Sequence, residues 1–279
     1  MFKIDAHHHF WKYDPAEYGW IGPRMSAIQR DFLPEDLRKE IAGAGINGVI
    51  SVQARQTLQE TSWLLELADE NDFVQGAVGW APLTNPSVAR MLEQLASRPK
   101  LRAIRHVLHD EPDDDYMLRE DFNRGIRALQ PLGLAYDILI FERHLLQTIQ
   151  FVDRHPNQVF IVDHLAKPRV KSREISPWRE SMRELARRPN VYCKISGLAT
   201  EADYADWTEE QLRPYMETVL HAFGPRRTMF GSDWPVCLVA VEYRRWAHIV
   251  AGAVSELSPS EQERFWSGTA TEAYRLRRG

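Results

Sequence analysis

The chain has 279 residues, of which 44% are hydrophobic and 27% charged, and its formal net charge is −4. This composition is typical of a globular protein and provides no basic surface that would attract nucleic acid. No apolar run reaches the roughly 18 to 20 residues of a membrane span, and the first residues lack the apolar segment of a signal peptide. Cys193 and Cys237 have no CxxC partner, which suits a reducing compartment. We therefore expect a cytoplasmic protein, monomeric or homo-oligomeric, that binds neither nucleic acid nor membranes.

Eight short segments rich in β-branched and apolar residues are predicted strands. They span residues 3–9, 48–54, 74–80, 101–107, 134–140, 159–164, 191–196 and 228–233. The helical spacing of apolar residues predicts connecting helices over 33–43, 59–70, 86–97 and 120–132. This alternation predicts one α/β domain over residues 1–279.

The spacing of the strands favours one of two α/β architectures. Consecutive strands lie about 25 to 40 residues apart, which leaves room for a crossover helix each time. An open doubly wound sheet would usually carry a glycine-rich phosphate loop between an early strand and the helix after it, and no GxGxxG motif directly follows the first or second strand. We therefore expect a closed (β/α)8 barrel, with the long connection 10–31 as a cover over the strand ends.

Histidines and an aspartate end the first and last predicted strands. Because strand side chains alternate, His7 and His9 should share a face with Asp5, one step deeper, whereas His8 points the opposite way. Asp233 ends the eighth strand and comes beside the first when the barrel closes. His7 and His9 could converge on one metal ion or on one carbonyl oxygen. The alternative is a surface run of histidines without function.

Other strand ends also carry polar side chains. Arg105 and His106 end the fourth strand, and His164 ends the sixth. The Arg105 guanidinium suits a carboxylate or a hydroxyl-rich ligand, although an ordinary ion pair is the alternative. His106 and His164, each taken alone, could equally be hydrogen-bonded structural histidines. Their position at the carboxyl ends of barrel strands, where active sites lie, favours a functional role.

Further residues near the predicted barrel mouth are candidate substrate contacts. Gln53 and Arg55 close the second strand with hydrogen-bonding groups. Trp11, Trp20 and Trp234 follow strands or lie in the first loop, where an indole could stack on the apolar face of a sugar ring. Packing in the core is the alternative for each tryptophan.

Three motifs give the chain a resemblance to a known family. DAHHHFW at the start, VDHLAKP around His164 and GSDWP around Asp233, together with the IRH run on the fourth strand, resemble the amidohydrolase superfamily. More narrowly, the pattern is similar to the sugar lactonases that act on L-fuconolactone or L-rhamnonolactone, and to the 2-pyrone-4,6-dicarboxylate lactonases. The resemblance extends over essentially the whole chain and implies a distorted (β/α)8 barrel.

The resemblance implies roles for the strand-end residues. His7 and His9 match the polar ligands of the first strand, His164 matches the histidine of the sixth strand, and Asp233 matches the base of the eighth. If one ion is bound, His7, His9 and Asp233 form a three-ligand open site, with His164 as a further candidate ligand.

The sequence departs from the two-metal pattern of this superfamily. The fourth strand offers Arg105 and His106 in place of a bridging lysine, and the fifth strand ends without a histidine. We therefore expect either no metal or one divalent ion, with zinc favoured.

These residues together favour hydrolysis of a sugar-acid lactone, such as L-fuconolactone or L-rhamnonolactone. The histidines, or one ion that they hold, would polarise the carbonyl while Asp233 activates water and returns the proton to the ring oxygen. Arg105 and His106 would orient the substrate. One alternative is metal-dependent, non-oxidative decarboxylation of an aromatic acid. A second is a barrel that binds sugar or metal without catalysis.

Overall fold

The computed structural model describes residues 1–276, so the last three residues of the predicted domain lie outside it. Its centre is one sheet of eight parallel strands in the order β1 to β8. The strands are β1 Ile4–His8, β2 Gly48–Val52, β3 Val74–Gly79, β4 Leu101–Val107, β5 Ala135–Leu139, β6 Phe160–Val162, β7 Val191–Ile195 and β8 Thr228–Phe230. All eight predicted strands are thereby confirmed, and the (β/α)8 barrel with them.

Helices connect the successive strands and cover the outside of the barrel. They are α1 Pro34–Ala44, α2 Leu58–Glu70, α3 Val88–Ala96, α4 Glu120–Arg127, α5 Leu145–Asp153, α6 Trp178–Leu185, α7 Glu209–Phe223, α8 Tyr243–Ala253, α9 Pro259–Glu263 and α10 Thr269–Ala273. A π-helical turn, Arg264–Gly268, links the last two. No helix within residues 1–276 is long and apolar enough to cross a membrane.

The barrel closes where the chain beyond β8 pairs with β1. The backbone N–H of Asp233 donates to the carbonyl of His7 over 2.8 Å, and the N–H of His9 donates to the carbonyl of Trp234 over 2.6 Å. His8 and Trp234 form a parallel bridge at the same place. These bonds bring the HxH segment and the GSDWP segment side by side, as the sequence predicted.

Asp5 does not join the histidines, and the expectation that it shares their face is wrong. The register of β1 shifts between Asp5 and His8, which interrupts the simple alternation. The Asp5 carboxylate instead accepts hydrogen bonds from the backbone N–H of Ser232 over 2.8 Å and from the hydroxyl of Tyr243 in α8 over 3.0 Å. Burial raises the pKa of Asp5 to about 6. Asp5 therefore fastens the seam between the first and last strands.

The apolar core has two layers, as a barrel covered by helices requires. The larger layer lies between strands and helices, and the smaller one fills the barrel with residues such as Ile50, Val78 and Ala103. Tyr274, just after α10, belongs to this inner layer and donates its hydroxyl to Asp137 of β5 over 2.7 Å. The C-terminal segment thereby packs into the interior of the barrel.

The connection 10–31 is folded and ordered by its own contacts. Trp11 pairs with Phe32 through two backbone hydrogen bonds, and a 3-10 helix, Pro23–Ile28, packs against the turn Val236–Val239 that follows β8. Trp20 and Met25 from this connection line the cavity described below. The predicted cover over the strand ends is therefore present.

Replacing Tyr243 with Phe tests the closing seam. The variant leaves one oxygen of the fully buried Asp5 without its hydroxyl donor, so we expect the free energy of unfolding to fall by about 1–3 kcal/mol. Urea unfolding of both proteins measures it. Tyr13→Phe, in the half-buried part of the first loop, should change the value by less than about 0.5 kcal/mol. Equal stability of Tyr243→Phe and the parent protein would contradict this account of the seam.

Candidate active site

Four buried side chains converge at the carboxyl ends of the strands. His7 lies in β1 and His9 directly follows it, His164 follows β6, and Asp233 follows β8. Each is at most 4% exposed. The Nε2 atoms of His7, His9 and His164 lie 3.7, 3.3 and 3.9 Å from the same oxygen, Oδ1 of Asp233. The Nε2 atoms of His7 and His9 are 3.3 Å apart. The sequence prediction that these four residues meet at one place therefore agrees with the geometry.

Two glycines make this convergence sterically feasible. A Cβ at Gly231 would lie 2.8 Å from Cβ of His7, and one at Gly197 would lie 2.6 Å from Nδ1 of His164. Gly197 also has a φ of +61°, in the left-handed region that glycine tolerates best. Both glycines lie just beyond β7 and β8 and let the backbone come closer to His164 and His7 than a residue with a Cβ would allow.

The second ring nitrogen of two histidines has a fixed partner. Nδ1 of His9 lies 2.8 Å from the carbonyl oxygen of Val52, and because a carbonyl only accepts, Nδ1 carries the proton in neutral His9. Its Nε2 then presents a lone pair towards Asp233. Nδ1 of His164 lies 2.8 Å from the hydroxyl of Ser196, which can either donate or accept.

A buried lysine that sequence reasoning missed supports this cluster from inside the barrel. Nζ of Lys194, in β7, lies 2.6 Å from Oδ2 of Asp137, 2.9 Å from Oδ1 of Asp163 and 3.1 Å from Nδ1 of His7. Lys194, Asp137 and Asp163 have no exposed surface. The signal was present in the sequence, because Lys194 interrupts an apolar strand at an inward-facing position.

His7 can take either neutral tautomer in this environment. Its Nδ1 faces both an ammonium donor, Lys194, and a carboxylate acceptor, Oδ1 of Asp163 at 3.3 Å. Burial and the nearby Lys194 lower the pKa of His7 well below its ordinary value, although Asp163 opposes the shift. The ring is therefore neutral and has one nitrogen lone pair available.

The charges around Asp233 keep it ionised. Burial by itself would raise the pKa of this carboxyl, but His164, His9 and Lys167 outweigh that effect and leave the pKa below its ordinary value. Burial lowers the pKa of His164 to about 4, even though Asp233 opposes the change. At neutral pH the ionised Asp233 carboxylate therefore lies beside the neutral imidazoles of His7 and His164.

Arg105 is held rigidly at the edge of the cluster. Its guanidinium donates to Oδ2 of Asp163 over 3.0 Å, to Oε1 of Gln53 over 3.1 Å and to the carbonyl of Gln53. One of its nitrogens lies 3.4 Å from Nε2 of His7. Gln53 is fully buried and outside the cavity lining, so its side chain contacts Arg105 and does not reach the cavity.

A cavity of about 600 Å³ opens directly above the cluster. Of the predicted site residues, those that line it are His9, Arg55, Arg105, His164, Asp233 and Trp20. Trp20 is 41% exposed, as a stacking surface would be. The volume falls within the range of small-molecule sites.

Besides Gln53, three predicted substrate contacts lie outside this lining. Trp11 donates its indole N–H to the carbonyl of Arg30 and is fully buried, and Trp234 packs edge-on against Phe32. His106 points away from the barrel interior and hydrogen-bonds Glu111 over 2.6 Å. Trp11 and Trp234 therefore pack in the core, and His106 is a hydrogen-bonded structural histidine. These are the alternatives that the sequence left open for them.

The structure adds cavity residues that were not singled out from the sequence. His109, Lys167, Glu201 and Tyr204 line the cavity from three different loops. Lys167 belongs to the VDHLAKP motif and so was within reach of sequence reasoning. Loop residues such as Glu201 and Tyr204 could not be predicted from the sequence. They do not lie on a strand, and the spacing of apolar residues does not predict the conformation of a loop.

The donor set fits one divalent metal ion. Ligand atoms of His7, His164 and Asp233 all lie within 4.8 Å of one another. The 3.3 Å between Nε2 atoms of His7 and His9 matches the spacing of about 3.3 Å for two ligands bound tetrahedrally at about 2.0–2.1 Å. The three closest ligand residues are therefore His7, His164 and Asp233, with His9 next to them. From the sequence, His164 was only a further candidate ligand.

The barrel and this His-Asp cluster define the class of protein. The chain belongs to the amidohydrolase family, whose sequence profile matches residues 4–276. The L-fucono-1,5-lactonase of Burkholderia multivorans is 40% identical over 285 residues, which cover 98% of this chain and 96% of that protein. The L-fucono-1,5-lactonase of Burkholderia ambifaria is 36% identical, covering 99% and 97%. A crystal structure of an amidohydrolase from Burkholderia multivorans with bound zinc has 39% identity, a TM-score of 0.96 and coverage of 99% and 100%.

A buried glutamate shapes the turn that carries Arg55 to the cavity. Oε2 of Glu60 accepts hydrogen bonds from the backbone N–H groups of Ala54 and Arg55 over 3.1 and 2.7 Å. Glu60 is fully buried, and burial raises its pKa to about 7 although these donors oppose the shift. Because the folded protein holds this proton more tightly than the unfolded chain, stability should fall as pH rises from about 4.5 to about 7.

Glu60→Gln tests this pH dependence, since glutamine stands in for the protonated acid. Between pH 5 and pH 8 we expect the parent protein to lose about 2–3 kcal/mol of unfolding free energy relative to the variant. Urea unfolding across that range measures the difference. Glu66→Gln, on the exposed face of α2, is the matched control. Parallel pH curves for parent and Glu60→Gln would show that Glu60 does not titrate in this range.

Proposed function

We propose that this protein hydrolyses the lactone of a sugar acid, with a 1,5-lactone such as L-fucono-1,5-lactone as the leading substrate. The observation that carries the proposal is the approach of three imidazole nitrogens to one carboxylate oxygen at the floor of a cavity. The names of the full-length relatives at 36% and 40% identity support this substrate class. Opening such a lactone would place the protein in carbohydrate metabolism.

Asp233 is the proposed base. Its carboxylate takes a proton from water, and the water oxygen forms a bond to the lactone carbonyl carbon. The tetrahedral intermediate then breaks its bond to the ring oxygen, which receives the proton from Asp233. One water molecule is consumed, the sugar acid is released, and Asp233 is ionised again.

The neighbouring side chains are proposed to bind and orient the reacting groups. Without a bound ion, an Nε2–H of neutral His164 or His7 would donate to the lactone carbonyl oxygen and stabilise the negative charge that develops there. Arg105, fixed by Asp163 and Gln53, holds its guanidinium at the cavity edge to orient the substrate. Trp20 offers its exposed ring to the apolar face of the sugar.

We further propose zinc as the divalent ion that this donor set holds. His7, His164 and Asp233 would be its ligands, with Nε2 of His9 next to them. When bound, the ion supplies polarisation of the lactone carbonyl. Asp163 supports this use of His7, since it can accept a proton from Nδ1 and leave the Nε2 lone pair free.

Asp233→Asn tests the base. Removing a general base typically costs 10²- to 10⁴-fold, so we expect kcat for L-fucono-1,5-lactone to fall at least about 100-fold. Proton release in weakly buffered solution measures the rate, and Asp206→Asn, at an exposed carboxylate outside the cavity lining, should retain it. Parental rates in Asp233→Asn would refute the assignment. If the protein released bicarbonate from aromatic acids and opened no lactone, its activity would be decarboxylation and the proposed hydrolysis would be wrong.

Metal binding can be tested independently of activity. Equilibrium dialysis against zinc, after treatment with a chelator, should give about one ion per chain for the parent protein. His164→Asn removes one proposed ligand and should weaken zinc binding at least about 10-fold, whereas His221→Asn, at an exposed helical position, should not. Equal zinc affinity in His164→Asn and the parent protein would contradict the proposed ligand set.

A further inference from the structure

A lysine and a glutamate form an ion pair on the wall of the candidate active site. Nζ of Lys167 lies 2.8 Å from Oε1 of Glu201, and both residues line the cavity together with His164 and Asp233. The two side chains are 21% and 19% exposed, so they are accessible to a small ligand but shielded from bulk solvent. Lys167 lowers the pKa of Asp233, but no bond-making or proton-transfer step proposed above involves either member of the pair.

The backbone that presents Lys167 is unusual. Four consecutive residues from His164 to Lys167 have φ values of 52°, 52°, 58° and 47°, in the left-handed region. This region is unfavourable for residues other than glycine, and strain of this kind is concentrated at functional sites. The backbone N–H of Lys167 closes this turn by donating to the carbonyl of His164 over 2.7 Å. One strained turn therefore carries both a candidate catalytic histidine and a cavity cation.

The pair retains unused hydrogen-bonding capacity towards the cavity. Among residues 1–276, the ammonium of Lys167 donates one hydrogen bond, to Glu201, so further N–H donors are available to a ligand. The Glu201 carboxylate has lone pairs beyond the one that Lys167 occupies. A donor and an acceptor thus lie side by side on the same wall.

The charges in the cavity indicate that the ligand of this pair is neutral. Lys167 is balanced by Glu201, and Arg55 is likewise paired with Glu17 on the cavity wall. Arg105 is bonded to Asp163. A substrate carboxylate would have to compete with an existing carboxylate for each of these three cations.

We propose that Lys167 and Glu201 bind two adjacent hydroxyl groups of the sugar lactone, so that the pair determines specificity for a vicinal diol. Lys167 donates a hydrogen bond to one hydroxyl oxygen, and Glu201 accepts a hydrogen bond from the neighbouring hydroxyl. Neighbouring oxygens of a gauche diol are separated by about the distance between the two charged groups, which suits simultaneous binding. This inference rests on the proposed lactone hydrolysis and adds which part of the substrate is recognised.

Comparing two lactones isolates the hydroxyl contacts from the chemistry. L-Fucono-1,5-lactone has adjacent ring hydroxyls, whereas δ-valerolactone has the same ring size and none. For Lys167→Met and for Glu201→Gln, we expect kcat/KM on the sugar lactone to fall about 10- to 100-fold, mainly through KM. Glu201→Gln should change kcat/KM on δ-valerolactone less than about threefold. Lys167→Met also removes a charge that lowers the pKa of Asp233, so this variant is judged by its KM on the sugar lactone. Lys171→Met is the matched control, because Lys171 pairs with Asp203 at 2.8 Å outside the cavity lining.

The outcomes separate this inference from the function on which it rests. A similar loss on both lactones would mean that the pair serves folding or the chemical step, and would overturn diol recognition. Unchanged kinetics on both lactones would overturn it as well. If the parent protein opened neither lactone, the proposed hydrolysis itself would be refuted. Thermal unfolding of each variant, within a few degrees of the parent protein, checks that the kinetics come from folded enzyme.

Discussion

The ammonium of Lys194 lies inside the barrel between the carboxylates of Asp137 and Asp163, and it reaches Nδ1 of His7. A charge with no contact to water is tolerated only when it is paired and hydrogen-bonded, and removing one partner of such a set typically costs about 3–5 kcal/mol. Asp163 in turn binds Arg105. A buried network of charged side chains inside the barrel therefore fixes the positions of His7 and Arg105. Substitution of one charged residue in this network would leave its buried partner without a counter-charge.

The active site also depends on closure of the barrel, which brings His7 and Asp233 together. The strand that carries His7 and the segment that carries Asp233 are separated by more than 220 residues, yet direct backbone hydrogen bonds join them. Asp5 secures the same seam by binding Ser232 and Tyr243. Because β1 and the segment after β8 are fixed to each other, Asp233 keeps its spacing from His7 and His9 without relying on flexible loops. Positions on rigid strands suit catalytic groups, whereas loop residues such as Glu201 suit recognition of a particular substrate.

Sequence reasoning found the parts of the molecule that follow from periodicity and strand position. All eight strands were predictable, and so was the meeting of His7 with Asp233, because parallel strands end at one edge of a barrel. Asp5 was misplaced because an irregular register in β1 cannot be seen in the pattern of residues. Lys194 was missed because its partners, Asp137 and Asp163, are distant in the sequence and come beside it only in the folded barrel. Trp11 and Trp234 show the same limit, since proximity to a strand end does not distinguish a cavity wall from the packing beside it.

Direct attack of water on the lactone, with Asp233 as base, is the central claim, and a single turnover in H2¹⁸O tests it most directly. Enzyme in excess over lactone would be mixed in labelled water, and both the product and the peptide containing Asp233 analysed by mass spectrometry. The account predicts one ¹⁸O in the carboxyl group of the first product and none in Asp233. An unlabelled first product with ¹⁸O in Asp233 would instead make the carboxylate a nucleophile and contradict the account.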